Sequence, residues 1–149
     1  MLDYKIIKKE SDFPTELSRN KFIDFLFEHL ERFGDTKDSI SKSIDYAFSE
    51  SEGKGGFLLS AYDDKKLIGE LVMNKTGMEG YIPENILVYV AVDGTVRGKG
   101  YGKEICSKAI DIAEGNVALH VEYDNPAKRL YERLGFTTKY AEMRLIKKG

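Results

Sequence analysis

The stretch whose reading decides this chain is Ile86–Glu114, ILVYVAVDGTVRGKGYGKEICSKAIDIAE. Ile86–Val92 is an apolar, β-branched run too short for an ordinary helix, and it reads as a buried strand. Asp93-Gly94, Gly98, Gly100 and Gly102 then punctuate a turn. After Gly100 the spacing becomes helical: Tyr101, Ile105, Ala109 and Ala113 fall on one face, with Ile112 beside them. Gly115 supplies a left-handed stop.

The turn is informative because of what the helix lacks. No Ser, Thr, Asp or Asn stands next to Gly100 to accept the free backbone N–H groups of the first turn. Glycines at alternate positions let the backbone approach a partner closely, and Arg97, Lys99 and Lys103 surround them with positive charge. Orphan donors, no side-chain cap and a basic rim describe an anion site, most naturally one for phosphate. The plainer alternative is a glycine-rich connection with a solvated basic rim. Two familiar phosphate motifs do not fit. A dinucleotide fingerprint G-x-G-x-x-G would need glycine at position 103 or 105, where the chain has Lys103 and Ile105. A P-loop ending in Gly102-Lys103 would need glycine at 97 and Ser or Thr at 104, where Arg97 and Glu104 stand.

Arg97-Gly98-Lys99-Gly100-Tyr101-Gly102 does resemble the R/Q-x-x-G-x-G/A signature of the GCN5-related N-acetyltransferases, the GNAT family. Upstream, Val90-x-Val92 lies at the family's usual distance. Downstream, Leu119-x-Val121-x-x-x-Asn125-x-Ala127-x-x-Leu130-Tyr131-Glu132-x-Leu134-Gly135-Phe136 is similar to the family's other shared segment. One departure is Gly94, where the family often carries proline; it removes no functional group. Before Ile86 the chain matches only in the coarse order of its elements.

With 149 residues the chain is long enough for one domain with a real core, and a single N-acetyltransferase domain over 1–149 is expected. The net charge of −2 gives no nucleic-acid footprint. No run of 18 apolar residues exists, so no membrane span is expected. MLDYKIIKKESDF lacks the apolar stretch of a signal peptide. The single cysteine, Cys106, has no intrachain partner; a cytoplasmic location is the expectation. Cys106 sits among Ile105, Ala109 and Ile110 and reads as a small buried residue rather than a nucleophile. His29 and His120 have no Cys or carboxylate at metal-ligand spacing, so no metal is expected.

Along the chain, Tyr4–Lys8 reads as a strand. Pro14 is expected to open a helix whose stripe runs from Leu17 to Phe33, with Gly34 as its stop. Asp35 or Thr36 caps a second helix carrying Ile40, Ile44, Ala47 and Phe48. Phe57–Tyr62 and Leu67–Asn74 form a hairpin around Asp63-Asp64-Lys65-Lys66. Lys75–Asn85 is a loop. Val117–Glu122 is a further strand, Asn125-Pro126 starts a helix, and Phe136–Ile146 is expected to be a last, extended strand. The class is α/β, with helices flanking a mixed sheet. The resemblance implies a mostly antiparallel sheet whose central strands, Ile86–Val92 and Val117–Glu122, splay apart to admit the pantetheine arm.

What the resemblance implies for chemistry is specific. Acetyl-CoA is the expected co-substrate, its pyrophosphate held by the amides of Arg97, Gly98, Lys99, Gly100, Tyr101, Gly102 and Lys103. Main-chain N–H groups of Val90, Ala91 and Val92 would orient the thioester and stabilise its developing charge. Tyr131, at the family's tyrosine position, would protonate the leaving thiolate; read by itself it is an aromatic anchor between helix and sheet. Asn125 caps its helix and is also placed to bind the pantetheine arm. Lys99, Lys128 and Arg129 would neutralise the outer phosphate.

An alkylammonium acceptor, with a pKa of ~10.4, must lose a proton before it attacks. Glu70, Glu79 and Glu84 are the carboxylates in position, and Glu84 is preferred because it precedes the strand that would carry the thioester. Tyr89 either faces the acceptor cleft or packs on the sheet. The two N-terminal helices and the Lys75–Asn85 loop are expected to wall that cleft with Asp24, Glu28, Glu31, Asp35, Asp38, Glu79 and Glu84, favouring a cationic small-molecule or peptide amine. The reading is therefore an acetyl-CoA-dependent N-acetyltransferase working by direct attack in a ternary complex. A non-catalytic CoA- or acyl-CoA-binding regulatory module of the same fold is the alternative. A nucleotide-phosphate binder unrelated to CoA is a third reading. The last strand leaves monomer and homodimer both open.

Overall fold

A computed structural model describes residues 1–148. In chain order the elements are β1 (Asp3–Ile7), α1 (Arg19–Leu30), α2 (Lys37–Phe48), β2 (Gly56–Asp63), β3 (Lys66–Lys75), β4 (Asn85–Val92), α3 (Tyr101–Ile112), β5 (Val117–Leu119) and α4 (Ala127–Arg133), with short 3-10 turns between some of them. The sheet order is β1-β2-β3-β4-β5. Every pairing is antiparallel except β4 with β5, which is parallel.

The sheet is buried on both faces, which explains why β2 and β3 read as nearly continuous apolar runs rather than alternations. One face carries α1 and α2. There Phe22, Ile23, Leu26, Ile40 and Ile44 meet Ile7, Leu58, Val72, Tyr89 and Ala91. The opposite face carries α3 and α4, with Ile105, Cys106, Ala109 and Tyr131 on Leu59, Leu71, Met73 and Leu87. Tight turns follow the sequence. Asp64 and Lys65 both take positive φ, the conformation a two-residue hairpin loop demands.

Three expectations about elements need correction. Pro14 does not open α1; Ser18 does, its side chain accepting from the Lys21 N–H. The cap chemistry of Ser18 sets the start, and the preceding residues form turns instead. The helix also ends earlier, at Leu30, where Glu31 adopts φ 55° and a 3-10 turn carries the chain to Phe33. Lastly, Phe136–Ile146 forms no strand. Residues 137–148 have no strand assignment and are exposed, including Tyr140, Met143, Leu145 and Ile146. Alternation in Met143-Arg144-Leu145 marks a segment able to pair, but pairing needs a neighbour, and β5 is only three residues long.

The central strands do part. β4 and β5 are in register only from Asn85–Val117 to Leu87–Leu119. Immediately beyond, the pairing of β3 and β4 slips: Val72 faces Tyr89 and Met73 faces Leu87, which leaves Val88 as the extra residue of a bulge. A bulge bends and twists its strand. β4 therefore continues to Val92 without β5 beside it.

Thr36, not Asp35, caps α2, accepting from the Ser39 N–H at 3.1 Å. Thr36→Ala is expected to cost about 1 kcal/mol, lowering Tm by roughly 2–4 °C for a chain of this size. Thermal unfolding followed by circular dichroism measures it.

Candidate active site

The gap between β4 and β5 opens into a cleft of about 790 Å³ that runs past both faces of β4. Its two halves differ in character.

One half is built by the glycine turn, α3 and α4. Gly100 takes φ 81° at the start of α3 and offers no side-chain cap; Gly98 takes φ 87°. Space in front of both is open, with nothing within 4 Å of where a Cβ would stand. Gly102 is different: an added Cβ would come within 2.8 Å of Leu130, so its lack of a side chain lets α4 close on α3. The first-turn amides of α3 thus face solvent at the mouth of the cleft, beside exposed Lys99 and Lys103. Two side chains of the turn are already engaged. Arg97 donates to the His29 carbonyl at 2.5 Å and lies 3.5 Å from Glu31. The Tyr101 hydroxyl donates to Asp63 at 2.5 Å. Both side chains fix the turn in place, which leaves backbone N–H groups and the two lysines to meet an anion.

Deeper in this half, Val90 and Val92 line the cleft along the strand edge that β5 has left, where alternate backbone amides have no strand partner. Tyr131 stands across from them on α4. Its ring meets Phe136 edge-on at 6.0 Å, and among the described residues its hydroxyl has no protein partner. Burial, with the Cys106 sulfur nearby, pushes the phenol above its ordinary value, so it stays protonated and able to donate. Burial likewise pushes the Cys106 thiol up to about 12, the opposite of an activated nucleophile. The Asn125 side chain accepts from the Ala127 N–H at 2.9 Å, as a helix start requires, and still borders the cleft. Lys128 lies 3.6 Å from Glu132 and lines a shallower recess at the outer end with Arg129.

The other half is walled by the end of α1 and the turn into α2: His29, Leu30, Glu31, Phe33 and Asp35. Tyr89 faces it and donates to Asp35 at 2.6 Å; burial first and then Asp35 raise the phenol's pKa. His29 accepts from the Gly94 N–H at 3.1 Å through Nδ1 and meets Glu28 at 2.7 Å through Nε2, while its ring packs tilted against Phe25, centroids 4.5 Å apart. This ties the end of α1 to the glycine turn. Arg144 of the C-terminal segment also borders this half, near Asp35, and pairs with Glu142 at 2.7 Å.

Several expected acidic residues are elsewhere. Asp24 pairs with Lys37 and Asp38 with Lys42 on the outer surface. Glu79 is exposed in the loop before β4, and that loop does not wall the cleft. Glu84 does not join the site either. Its carboxylate accepts from the Gly80 and Asn116 N–H groups at 3.1 and 2.6 Å, and these bonds hold its pKa below the ordinary value. It sits at the far end of β4, six residues or roughly 20 Å from Val90. Sequence order alone favours Glu84 as base, but the length of the strand places it away from the cleft. Sequence reading did not anticipate the His29–Gly94 bond, the bulge at Val88 or Arg144. None of the three has a local signal: the bulge shows only in the pairing with β3, and His29 and Arg144 meet partners that are far away in the chain.

A model of the acetyltransferase (GNAT) family matches residues 20–136. Solved structures similar in fold include a possible acetyltransferase from Clostridium difficile 630, with 17% identity, TM-score 0.66, and 99% of this chain and 97% of that one covered. An acetyltransferase from Bacillus subtilis in complex with CoA has 17% identity and TM-score 0.63, covering 91% of this chain and 76% of that one. An aminoglycoside acetyltransferase from an uncultured soil metagenomic sample, in complex with sisomicin, has 15% identity and TM-score 0.59, covering 99% and 95%. A search of curated proteins finds no match. Among the described residues no helix is long and apolar enough to cross a membrane, and no group of three or more His, Cys, Asp or Glu is placed to hold a metal ion.

Glu70 is fully buried, and neither of its carboxyl oxygens has a hydrogen-bond partner. Burial raises its pKa well above the ordinary carboxylate value. In the unfolded chain it ionises near ~4.3, so below that pH both states are protonated and this contribution to stability is fully present. As pH rises further, the unfolded state releases its proton first and stability falls until Glu70 ionises in the folded state. Tm is expected to decline from pH 5 upward in the wild type, and less steeply in Glu70→Gln; parallel melts across pH 4–9 measure the difference.

Proposed function

The chain belongs to the acetyltransferase (GNAT) family, and on that premise we propose that it transfers an acetyl group from acetyl-CoA to a primary amine by direct attack in a ternary complex. The observation that carries this reading is the shape of the cleft. A phosphate-competent glycine turn lies at one end, an unpaired strand edge at the middle, and a carboxylate-bearing wall on the far side of the same strand.

In this reading the pyrophosphate of acetyl-CoA sits on the amides of Gly98–Lys103, with Lys99 and Lys103 adding charge. Lys128 and Arg129, at the outer recess, meet the terminal phosphate. The pantetheine arm runs between β4 and β5 past Asn125. Unpartnered amides of Val90–Val92 hold the thioester carbonyl, an arrangement that stabilises the oxyanion as it forms. The acceptor enters from the side of Asp35 and Tyr89, where Glu31 and Asp35 favour a cation. An aminoglycoside acetyltransferase of similar fold is solved both with sisomicin and with trehalose. As the C–S bond breaks, Tyr131, protonated and without a protein partner, donates its proton to the sulfur. Cys106 takes no covalent part, because its thiol stays protonated.

Thermal unfolding with acetyl-CoA, CoA, ATP and NAD tests the donor. Ligand at 100 times its Kd stabilises by about 2.7 kcal/mol, and the reading expects a rise with acetyl-CoA and CoA alone. Tyr131→Phe is expected to keep that rise while slowing thiol release by about 10²–10⁴-fold. Unchanged turnover in this variant would remove Tyr131 from the chemistry. A CoA-induced rise without turnover on any amine would favour a binding module instead.

A further inference from the structure

Glu70 is the one fully buried carboxylate in the chain's described core, and the roles set out above leave it unused. Its surroundings form a pattern. Strand register places Ser60 on β2, Glu70 on β3 and Ala91 on β4 directly opposite one another. Their neighbours two residues along, Leu58, Val72 and Tyr89, all face α1 and α2, so this row faces that side too. The Ser60 hydroxyl, the Tyr62 hydroxyl and both Glu70 oxygens are buried without a hydrogen-bond partner. Ser60 lies beside the Tyr62 hydroxyl, but no bond of good geometry joins them. Four unpaired polar atoms in one place burden stability, and natural cores rarely keep such groups without a use.

Ala91 is both the cross-strand neighbour of Glu70 and part of the cleft wall. Adjacent strands lie about 4.8 Å apart, so Glu70 stands one strand spacing from the acceptor half of the cleft, with only a methyl group on β4 at that level. Tyr89, next on the same face, opens to the same half. We propose that Glu70 is the proton acceptor for the incoming amine, reached over Ala91 through one bridging water, with Ser60 and Tyr62 as the polar groups that receive its charge once it ionises.

This rests on the acetyltransferase reading and adds the base to it. The balance is simple. An alkylammonium gives one proton through the water to the Glu70 carboxylate, and its freed lone pair forms the N–C bond to the thioester carbon. The C–S bond breaks, and the sulfur takes the Tyr131 proton. The nitrogen's second surplus proton restores Tyr131, and Glu70 returns its proton to solvent. The products are the amide, CoA thiol and one proton. Burial raises the Glu70 pKa well above the ordinary carboxylate value, which makes its carboxylate a stronger base toward an ammonium than an exposed one. The titratable groups around it are Tyr62 on β2, Glu16 ahead of α1, Tyr89 with Asp35, His29 at the end of α1, and Lys5 on β1 opposite Ser60. Among the described residues none forms an ion pair with Glu70. Arg144 borders the same half of the cleft beside Asp35, and an ammonium arriving over Ala91 brings Glu70 a counter-charge that no ion pair of its own supplies.

The test compares wild type, Glu70→Gln and Glu70→Met. CoA-induced thermal stabilisation is measured first: its absence in the wild type refutes the acetyltransferase reading itself, whatever Glu70 does. With it present, thiol release is followed across pH with spermidine, kanamycin and a lysine-containing peptide. Both variants are expected to keep the CoA response and to lose at least about 100-fold in kcat. They should also lose the rising limb of the rate profile that lies below the amine's own pKa. Glu70→Met should melt higher than wild type while losing turnover, a split that a purely structural residue would not show. Turnover within a factor of about two and an unaltered pH profile would overturn the proposal. If none of these amines turns over, carbon-13 NMR of labelled glutamate decides. Saturating ethylammonium, with CoA bound, should lower the Glu70 titration midpoint by about one pH unit or more, and an unmoved midpoint would overturn it.

Discussion

The structure depends on one constraint: β4 is hydrogen-bonded along its whole length on one side and for only three residues on the other. A strand in the middle of a sheet normally has both edges satisfied, and leaving one bare inside a protein costs free energy for each orphaned amide. Here the bulge at Val88 turns β4 away just where β5 stops. The exposed edge becomes a row of hydrogen-bond donors and acceptors lined up inside a cleft. Everything else is arranged to keep that edge open and stiff. Buried layers of α1 and α2 on one face and of α3 and α4 on the other pack β4 between them.

The glycine turn and the wall opposite it are coupled through this strand. His29 and Arg97 connect the end of α1 to the residues that follow β4, one through the Gly94 amide and the other through the His29 carbonyl. An isolated surface ion pair such as Arg97–Glu31 contributes little. The hydrogen bonds to backbone matter more, because they fix where two different elements meet. These bonds fix the two halves of the cleft relative to one another, an arrangement that the proposed two-substrate reaction would use to align its reactants.

Much of this was legible in the sequence, and the parts that were follow from local physics. The strand–turn–helix of Ile86–Glu114 announces itself through a change of hydrophobic period, and the uncapped Gly100 through the absence of a polar neighbour. Asn125-Pro126 likewise marks a helix start. Errors arose where tertiary context decides. Pro14 lies before a turn, not a helix, because Ser18 offers the better cap. The alternation near Met143 does not become a strand, because no partner lies alongside. Glu84 precedes the central strand in sequence, yet a strand of eight residues carries its end roughly 25 Å from its start. Glu70 was visible only as one acid among three; its burial depends on which face of β3 lies under α1, and nothing local in the sequence fixes that.

In the proposed function the turn ahead of α3 receives the phosphates of CoA through its backbone. Amide hydrogen exchange with and without CoA tests it at residue level. The account expects slower exchange at Gly98–Lys103 and along Val90–Val92, with β1 and the outer surface of α2 unchanged. Protection confined to other elements, or none at saturating CoA, would contradict it.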